Sequence, residues 1–191
     1  MKIRSLAGVG ALALSLLLVP VVSRGSPPAR NTSEVGPELQ QEISQVLWGC
    51  FAEGADLVGV GNVPAATDVL QHCFTGDMTF DAVMPAAYSK LNFSTSGGAA
   101  GFVAGANGVY RSMGIVRVQH LITNVVITRT GPDTAVVNSG ALAIHTYGDE
   151  HVFNANVKFV DQFQRVDGVW MITHRTMNVI SVSQAAAWAP Q

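Results

Sequence analysis

The most informative segment of the sequence is Val157-Lys-Phe-Val-Asp-Gln-Phe-Gln-Arg-Val-Asp-Gly-Val-Trp-Met-Ile-Thr-His-Arg175. Apolar residues alternate with polar residues on both sides of Asp167-Gly168, a dipeptide typical of a two-residue hairpin turn. The pattern therefore predicts two long antiparallel strands, 150–166 and 169–183.

The sequence before this hairpin repeats the pattern. Two further alternating segments, 115–130 and 134–147, end at the turn signals Gly131-Pro-Asp133 and Gly148-Asp149. Four consecutive strands joined by tight turns predict an antiparallel meander, and strands of this length generally coil and bend.

Helical patterns precede the meander. Pro37 opens a helix with one apolar face that Gly59 and Gly61 end, and a second, shorter helix follows over 64–74. Gly76-Asp77 indicates a turn before a strand over 78–84. After it come a rim or lid loop over 88–96 and an Ala- and Gly-rich helix over 97–113. The predicted class is α+β: helices packed on a strongly curved, mostly antiparallel sheet that encloses a pocket.

Composition limits the partners. The chain has 191 residues, of which 48% are hydrophobic and 13% charged, with a net charge of −2. One domain with appendages is the natural expectation. Without a cluster of Lys and Arg, a nucleic-acid partner is not expected.

The N-terminus resembles an export signal. A short basic start, Met1-Lys-Ile-Arg4, precedes an apolar stretch and the small or permitted residues of Val21-Val-Ser23. We expect a signal peptide over 1–23, a leader over 24–37, the domain over 38–183 and a tail over 184–191. The expected location is therefore secreted or periplasmic, with no membrane contact after cleavage. The alternative is an uncleaved membrane anchor, for which the apolar stretch is short.

Three pieces of the sequence resemble one family. They are Phe74-Thr-Gly-Asp-Met-Thr-Phe-Asp81, Arg117-Val-Gln-His-Leu-Ile-Thr-Asn124 and the closing hairpin from Asp161 to Arg175. They are similar to SnoaL-like domains of the nuclear transport factor 2-like superfamily, relatives of scytalone dehydratase, ketosteroid isomerase and polyketide cyclases. The resemblance implies a cone-shaped α+β barrel with N-terminal helices and a hydrophobic pocket.

His120 and Asp56 are the candidate catalytic residues. His120 shares its strand phase with Val116, Val118, Ile122 and Val126, which predicts an imidazole on the apolar side. The resemblance implies that His120 moves a proton and that Asp56 orients it. The family's tyrosine position holds Phe51, which cannot donate a hydrogen bond. The alternative is a core histidine and a solvated helix-end carboxylate.

Large apolar and inward-facing polar side chains are expected around the pocket. Asp161 is predicted to face inward, either as a pocket acid or in an ion pair with Arg165 or Arg175. The candidate pocket residues are Trp48, Phe51, Phe80, His145, Asp161, Phe163 and Trp170.

The two cysteines, Cys50 and Cys73, are level on two predicted antiparallel helices. In an oxidising compartment they form either a disulfide or two buried thiols. No metal site and no cofactor is expected from the histidine spacing or from glycine-rich motifs.

Two functions remain open at this point. The first is a cofactor-free lyase or isomerase, a dehydratase, isomerase or cyclase acting on a small hydrophobic or cyclic molecule. The second is a non-catalytic secreted module that binds such a molecule or dimerises. A homodimer through the open sheet face is compatible with both.

Overall fold

The computed structural model describes residues 35–185. Its helices are α1 (Pro37–Ser44), α2 (Glu53–Gly59), α3 (Val63–Leu70) and α4 (Gly98–Ser112), and a π-helical segment, Gln45–Ala52, joins α1 directly to α2. A short 3₁₀ helix covers Ala86–Leu91. The strands are β1 (Phe74–Val83), β2 (Phe93–Thr95), β3 (Ile115–Arg129), β4 (Thr134–Tyr147), β5 (Val152–Val166) and β6 (Val169–Ala185).

The six strands form one sheet in the order β2-β1-β6-β5-β4-β3. Strands β3 to β6 pair antiparallel with their sequence neighbours, which confirms the predicted meander. Strand β1 pairs in parallel with β6, and β2 pairs antiparallel with β1. The helices pack on the inner face of this curved sheet, so the predicted α+β class is confirmed.

The hairpin between β5 and β6 follows the expected turn chemistry. Asp167 and Gly168 have φ values of 50° and 85°, and Val166 pairs with Val169. Two consecutive residues with positive φ are characteristic of the type I′ turn, whose twist matches that of the flanking strands.

The segment before the meander differs from the predictions in three places. The second helix ends at Leu70, and β1 begins at Phe74 instead of after a turn at 76–77. The reason is pairing with β6: Ile172 donates its N–H to the Cys73 carbonyl (2.8 Å), and a register irregularity between Phe74 and Thr79 absorbs Gly76 and Asp77. The predicted loop over 88–96 contains part of the 3₁₀ helix and the edge strand β2.

The core lies between the helices and the inner face of the sheet. We call the continuous helical stretch Pro37–Gly59, formed by α1, the π-helical segment and α2, the helical rod. The largest fully buried apolar side chains of the core come from this rod, from α3, from β1 and from the meander: Ile43, Leu47, Phe51, Val58, Leu70, Phe74, Met78, Ile115, Phe159, Phe163 and Ile172.

The predicted signal peptide, most of the leader and the end of the tail lie outside the described residues. The last strand continues to Ala185, two residues past its predicted end. Within residues 35–185, we find no helix with the length and apolar character needed to cross a membrane.

Candidate active site

Close approach of α2 to β3 builds the site. A Cβ atom at Gly59 would lie 2.6 Å from the backbone nitrogen of Val118, so only glycine allows this contact. Arg111 of α4 holds the same turn, because its Nη2 donates to the Gly59 carbonyl at 2.6 Å. Together these contacts press the C-terminal end of α2 against β3.

Asp56 lies one turn before Gly59 and contacts His120 twice. Its Oδ1 accepts hydrogen bonds from the backbone N–H of His120 (2.9 Å) and from the ring nitrogen Nδ1 (2.7 Å). An ionised carboxylate can only accept, so Nδ1 carries the proton and Nε2 of the neutral ring is an acceptor. The His120 side chain is 6% exposed and that of Asp56 is 33% exposed.

The helical rod also covers the open edge of the sheet. Strand β3 lies at one edge of the sheet, so alternate backbone groups on its outer side have no strand partner. Asp56 accepts from the N–H of His120, and Trp48 donates its indole N–H to the Ile122 carbonyl at 3.3 Å. Side chains of the rod therefore replace a neighbouring strand at these two positions.

The predicted phase of β3 holds only in its middle. Val118 and Ile122 are buried and His120 faces inward, whereas Val116 and Val126 are exposed. Irregularities in the pairing with β4, between Ile115 and Arg117 and between Thr123 and Val126, each reverse the alternation. The prediction was wrong for both valines because a bulge shifts every later side chain to the opposite face.

His120 borders a cavity of about 70 Å³ between α4 and the inner face of the sheet. The wall is mainly aromatic and aliphatic, and none of its described residues is acidic, lysine or arginine. Its half-buried members from the β1–α4 connection, such as Met84, Leu91 and Phe93, mark the side that approaches solvent. The wall also includes Phe51, Phe80, Phe102, Tyr110, His145, Phe153 and Phe159.

Two further polar side chains reach this cavity. Tyr110 of α4 and His145 of β4 lie with ring centroids 5.7 Å apart, and His145 Nδ1 is buried without a hydrogen-bond partner among the described residues. Burial, with a smaller effect of nearby His120, lowers the pKa of His145 to about 4. Burial, with a smaller effect of Asp56, raises the pKa of Tyr110 above its ordinary value. Both groups are therefore neutral at pH 7.

A second concavity, which we call the outer groove, lies between the helical rod and the edge of β3. It is lined by Trp48, Ala52, Glu53, Asp56, Leu57, Val60, Val118 and His120. Asp56 lines this groove and is not among the described residues of the cavity wall, whereas His120 borders both.

The structure divides the predicted pocket residues into two sets. Phe51, Phe80 and His145 line the cavity. The other four, Trp48, Asp161, Phe163 and Trp170, are not among its described lining residues, and their placement in the pocket was wrong. Asp161, Phe163 and Trp170 do face the inner side of the sheet, and Trp48 lies on the helical rod. All four are outside the part of the structure that surrounds the cavity.

Asp161 forms a fully buried ion pair with Arg175. Arg175 donates from Nε to Oδ1 (2.5 Å) and from Nη2 to Oδ2 (2.6 Å), and both side chains are 0% exposed. The guanidinium carbon lies 3.5 Å from the Phe51 ring centroid and 4.4 Å from that of Phe159. Of the two interpretations offered for Asp161, the ion pair is the one present.

Trp170 contributes to the packing of α1 on the hairpin, and Phe163 lies in the core. The Trp170 indole donates to Glu42 at 3.0 Å, and Arg165 forms an ion pair with the same carboxylate at 3.2 Å. Phe163 is buried in the core cluster. Trp48 is 49% exposed and lies in the outer groove, where it covers the edge of β3.

Cys50 and Cys73 form a disulfide bond, which confirms one of the two alternatives for this pair. The bond joins the π-helical segment, beside Phe51, to the residue before β1. Its Cα atoms are 6.0 Å apart. The disulfide therefore ties the part of the rod that carries the cavity residue Phe51 to the start of the sheet.

Sequence reasoning missed several wall residues, chiefly Tyr110, Phe93, Phe102, Phe153 and Phe159. Alternation along β5 does place Phe153 and Phe159 inward, and helical spacing links Phe102 to Tyr110. Those signals give a direction only and do not separate a cavity wall from a filled core. Among residues 35–185, no group of three or more His, Cys, Asp or Glu side chains is arranged to hold a metal ion.

Comparison with known proteins identifies the family. A family model for the SnoaL-like domain matches residues 65–176, which is more than half of the chain. The chain belongs to the SnoaL-like family. A search with the sequence finds no significant match among curated proteins.

Solved structures share the fold of this SnoaL-like domain. A proposed scytalone dehydratase from Novosphingobium aromaticivorans is 18% identical, with 78% of this chain and 89% of that chain covered and a TM-score of 0.58. A proposed aromatic ring hydroxylase from the same organism is 20% identical, with 80% and 96% covered and a TM-score of 0.59.

A third structure is hexachlorocyclohexane dehydrochlorinase LinA-type3 from Novosphingobium barchaimii. It is 12% identical, with 80% of this chain and 94% of that chain covered and a TM-score of 0.58. At these identities the likeness establishes the nuclear transport factor 2-like fold alone.

Proposed function

We propose that this SnoaL-like domain is a cofactor-independent lyase or isomerase in which His120 removes a proton beside a carbonyl group. The observation that carries the proposal is the contact between Asp56 and Nδ1 of His120 at the edge of an apolar cavity. The ligand is a small, uncharged, cyclic or hydrophobic molecule, because a charged ligand would lose its hydration without gaining an opposite charge in this wall.

His120 and Asp56 have different roles in the proposed reaction. Nε2 of His120 has no hydrogen-bond partner among the described residues, so its lone pair is available to accept a carbon-bound proton. Asp56 holds the ring in the required tautomer and stabilises the imidazolium that forms. A positioned base of this kind contributes about 10²–10⁴ in rate.

The oxygen of the substrate needs a neutral hydrogen-bonding partner as charge develops on it. The sequence resemblance implies that Phe51 occupies the family's tyrosine position, and phenylalanine cannot donate a hydrogen bond. Tyr110 and His145 line the same cavity, are neutral at pH 7, and offer a hydroxyl and an imidazole for this contact. Together with His120 they account for dehydration, isomerisation or ring closure of one cyclic ketone class.

The proposal includes export. The basic and apolar N-terminus supports a signal peptide over residues 1–23, and the Cys50–Cys73 disulfide fits an oxidising compartment. The mature protein would then act outside the cytoplasm. Mass spectrometry of the intact exported protein tests this, because cleavage near Ser23 lowers the mass of the chain by a defined amount.

Phe51 also favours a second candidate, a secreted module that binds the same class of molecule without turnover. Its ring packs edge-on to His120, with centroids 5.8 Å apart, where a tyrosine hydroxyl would otherwise be expected. The exposed side chains Leu121, Val160 and Ile180 on the outer face of the sheet offer a surface for a homodimer in either case.

Exchange of the α-protons of cyclohexanone, cyclohexenone and tetralone into D₂O, followed by NMR, separates the two candidates. We expect exchange with the wild type and a loss of about 10²–10⁴ in His120→Gln. His174→Gln is the matched control, because His174 bonds Thr79 on the exposed outer face of the sheet. Ketone binding without any exchange, or equal exchange in His120→Gln, would contradict the enzyme proposal.

A further inference from the structure

His120 contacts two different environments. Nδ1 points to Asp56, which lines the outer groove, while the ring also borders the cavity. His120 is the residue that the described walls of these two spaces have in common. The imidazole is thus a partition between them.

The two spaces differ in their access to water. The outer groove is open to solvent: Glu53 is exposed, Val60 is 53% exposed, and the Asp56 side chain is 33% exposed. The cavity wall has few polar groups, and a substrate bound there would cover the cavity face of the ring. Water therefore reaches the dyad from the groove even when the cavity is filled.

Among residues 35–185, the cavity wall has no other group suited to carry the proton. His145 stays neutral because burial lowers its pKa to about 4. Burial raises the pKa of Tyr110, so its hydroxyl keeps its proton at neutral pH. A proton received by His120 from the cavity side consequently has one relay at hydrogen-bond distance, Oδ1 of Asp56 at 2.7 Å.

We infer that His120 exchanges protons with bulk water through Asp56 and the outer groove, behind the ring and away from the substrate. Nε2 takes the proton as the C–H bond breaks and its electron pair forms the enolate. The Nδ1 proton then passes to Asp56 and from its carboxyl group to groove water. The ring is then neutral with its proton on Nε2. A proton returned through Asp56 to Nδ1 lets Nε2 give its proton to the product, and the ring regains its starting tautomer with the proton on Nδ1.

This inference rests on the proposed function for its chemical use, yet the route itself can be measured without turnover. Val60→Cys places a thiol in the outer groove, and Leu91→Cys places one in the cavity wall. The native cysteines are bridged, so N-(1-pyrenyl)maleimide labels only the new thiol. NMR magnetisation transfer from water then gives the exchange rate of the His120 ring proton.

Proton transfer needs hydrogen-bonded contact with water or a base, so we expect the label at residue 60 to slow exchange by about ten-fold or more. The label at residue 91 should leave the rate within about two-fold of the unlabelled variant. Glu53→Cys, exposed in the same groove, repeats the first arm at another position. Slowing by the Leu91 label, or none by either groove label, would overturn the inference.

The outcomes separate the two proposals. If ketone exchange fails while the groove labels slow the ring proton, the enzyme proposal falls and the proton route stands. If ketone exchange succeeds and only the Leu91 label slows the ring proton, the route falls and the enzyme proposal stands.

Discussion

Replacing Arg175 by Met should be among the most destabilising single changes in the domain. The substitution removes both hydrogen bonds to Asp161 and leaves that carboxylate 0% exposed without its partner. Breaking a buried ion pair in this way costs about 3–5 kcal/mol. Methionine fits the same space, and its sulfur retains part of the contact with Phe51 and Phe159. The loss is therefore mainly electrostatic.

Urea unfolding followed by circular dichroism measures the effect. With a slope of about 2 kcal/mol per molar urea, a loss of about 4 kcal/mol lowers the midpoint by about 2 M. Arg165→Met is the matched control, because its ion pair with Glu42 is 37% and 34% exposed. Exposed pairs contribute about 0–1 kcal/mol.

The double variant Arg175→Met with Asp161→Leu completes the argument. It removes both charges, so most of the stability lost in Arg175→Met should return. If Arg175→Met loses less than about 1 kcal/mol, no more than the exposed control pair contributes, then the buried pair does not support the sheet in the way described.

Three further changes test other contacts. Gly59→Ala should cost about 1–3 kcal/mol through the clash with Val118 and lower the melting temperature by several degrees. Gly49→Ala is the control and should be neutral or stabilising, because nothing lies within 4 Å of a Cβ atom at that position. Equal effects of the two substitutions would contradict the close approach of α2 to β3. The Cys50–Cys73 disulfide closes a loop with a sequence separation of 23, so its reduction should lower the free energy of unfolding by about 3 kcal/mol. A urea midpoint that does not change in reductant would contradict this. The pKa of His145 is about 4 in the folded protein, below its ordinary value of 6.5, so the unfolded state binds more protons below pH 6.5. Stability should therefore fall by up to about 3 kcal/mol as the pH drops from 6.5 to 4, and His145→Asn should remove this component of the pH dependence.

The meander could be predicted because its signals are local. Alternation sets the face of each side chain, and Asp167-Gly168 fixes the register of the last hairpin through two positive φ values. The entry into β1 could not be predicted in the same way. Gly76 and Asp77 resemble a turn, and only the pairing of β1 with β6 makes them part of a strand.

The contact between His120 and Asp56 could be predicted from the sequence, whereas the residues that line the cavity could not. The motif resemblance selected His120 and Asp56, and the structure places them in contact. The alternating pattern correctly predicted that Asp161 and Phe163 face inward, but the inner face of the sheet is longer than the cavity. One part lines empty space and the other is filled by core residues. Where that division falls depends on helix packing, which no local pattern encodes.

The proposed role of His120 as a base depends on its tautomer. Its ring nitrogen shifts can be read from ¹⁵N NMR of the folded domain at a pH at which the imidazole is neutral, with and without cyclohexanone. We expect a proton on Nδ1, held by Asp56, and an unprotonated Nε2 whose signal moves when the ketone binds. A proton on Nε2, or a signal indifferent to every ketone that binds, would contradict His120 as the base.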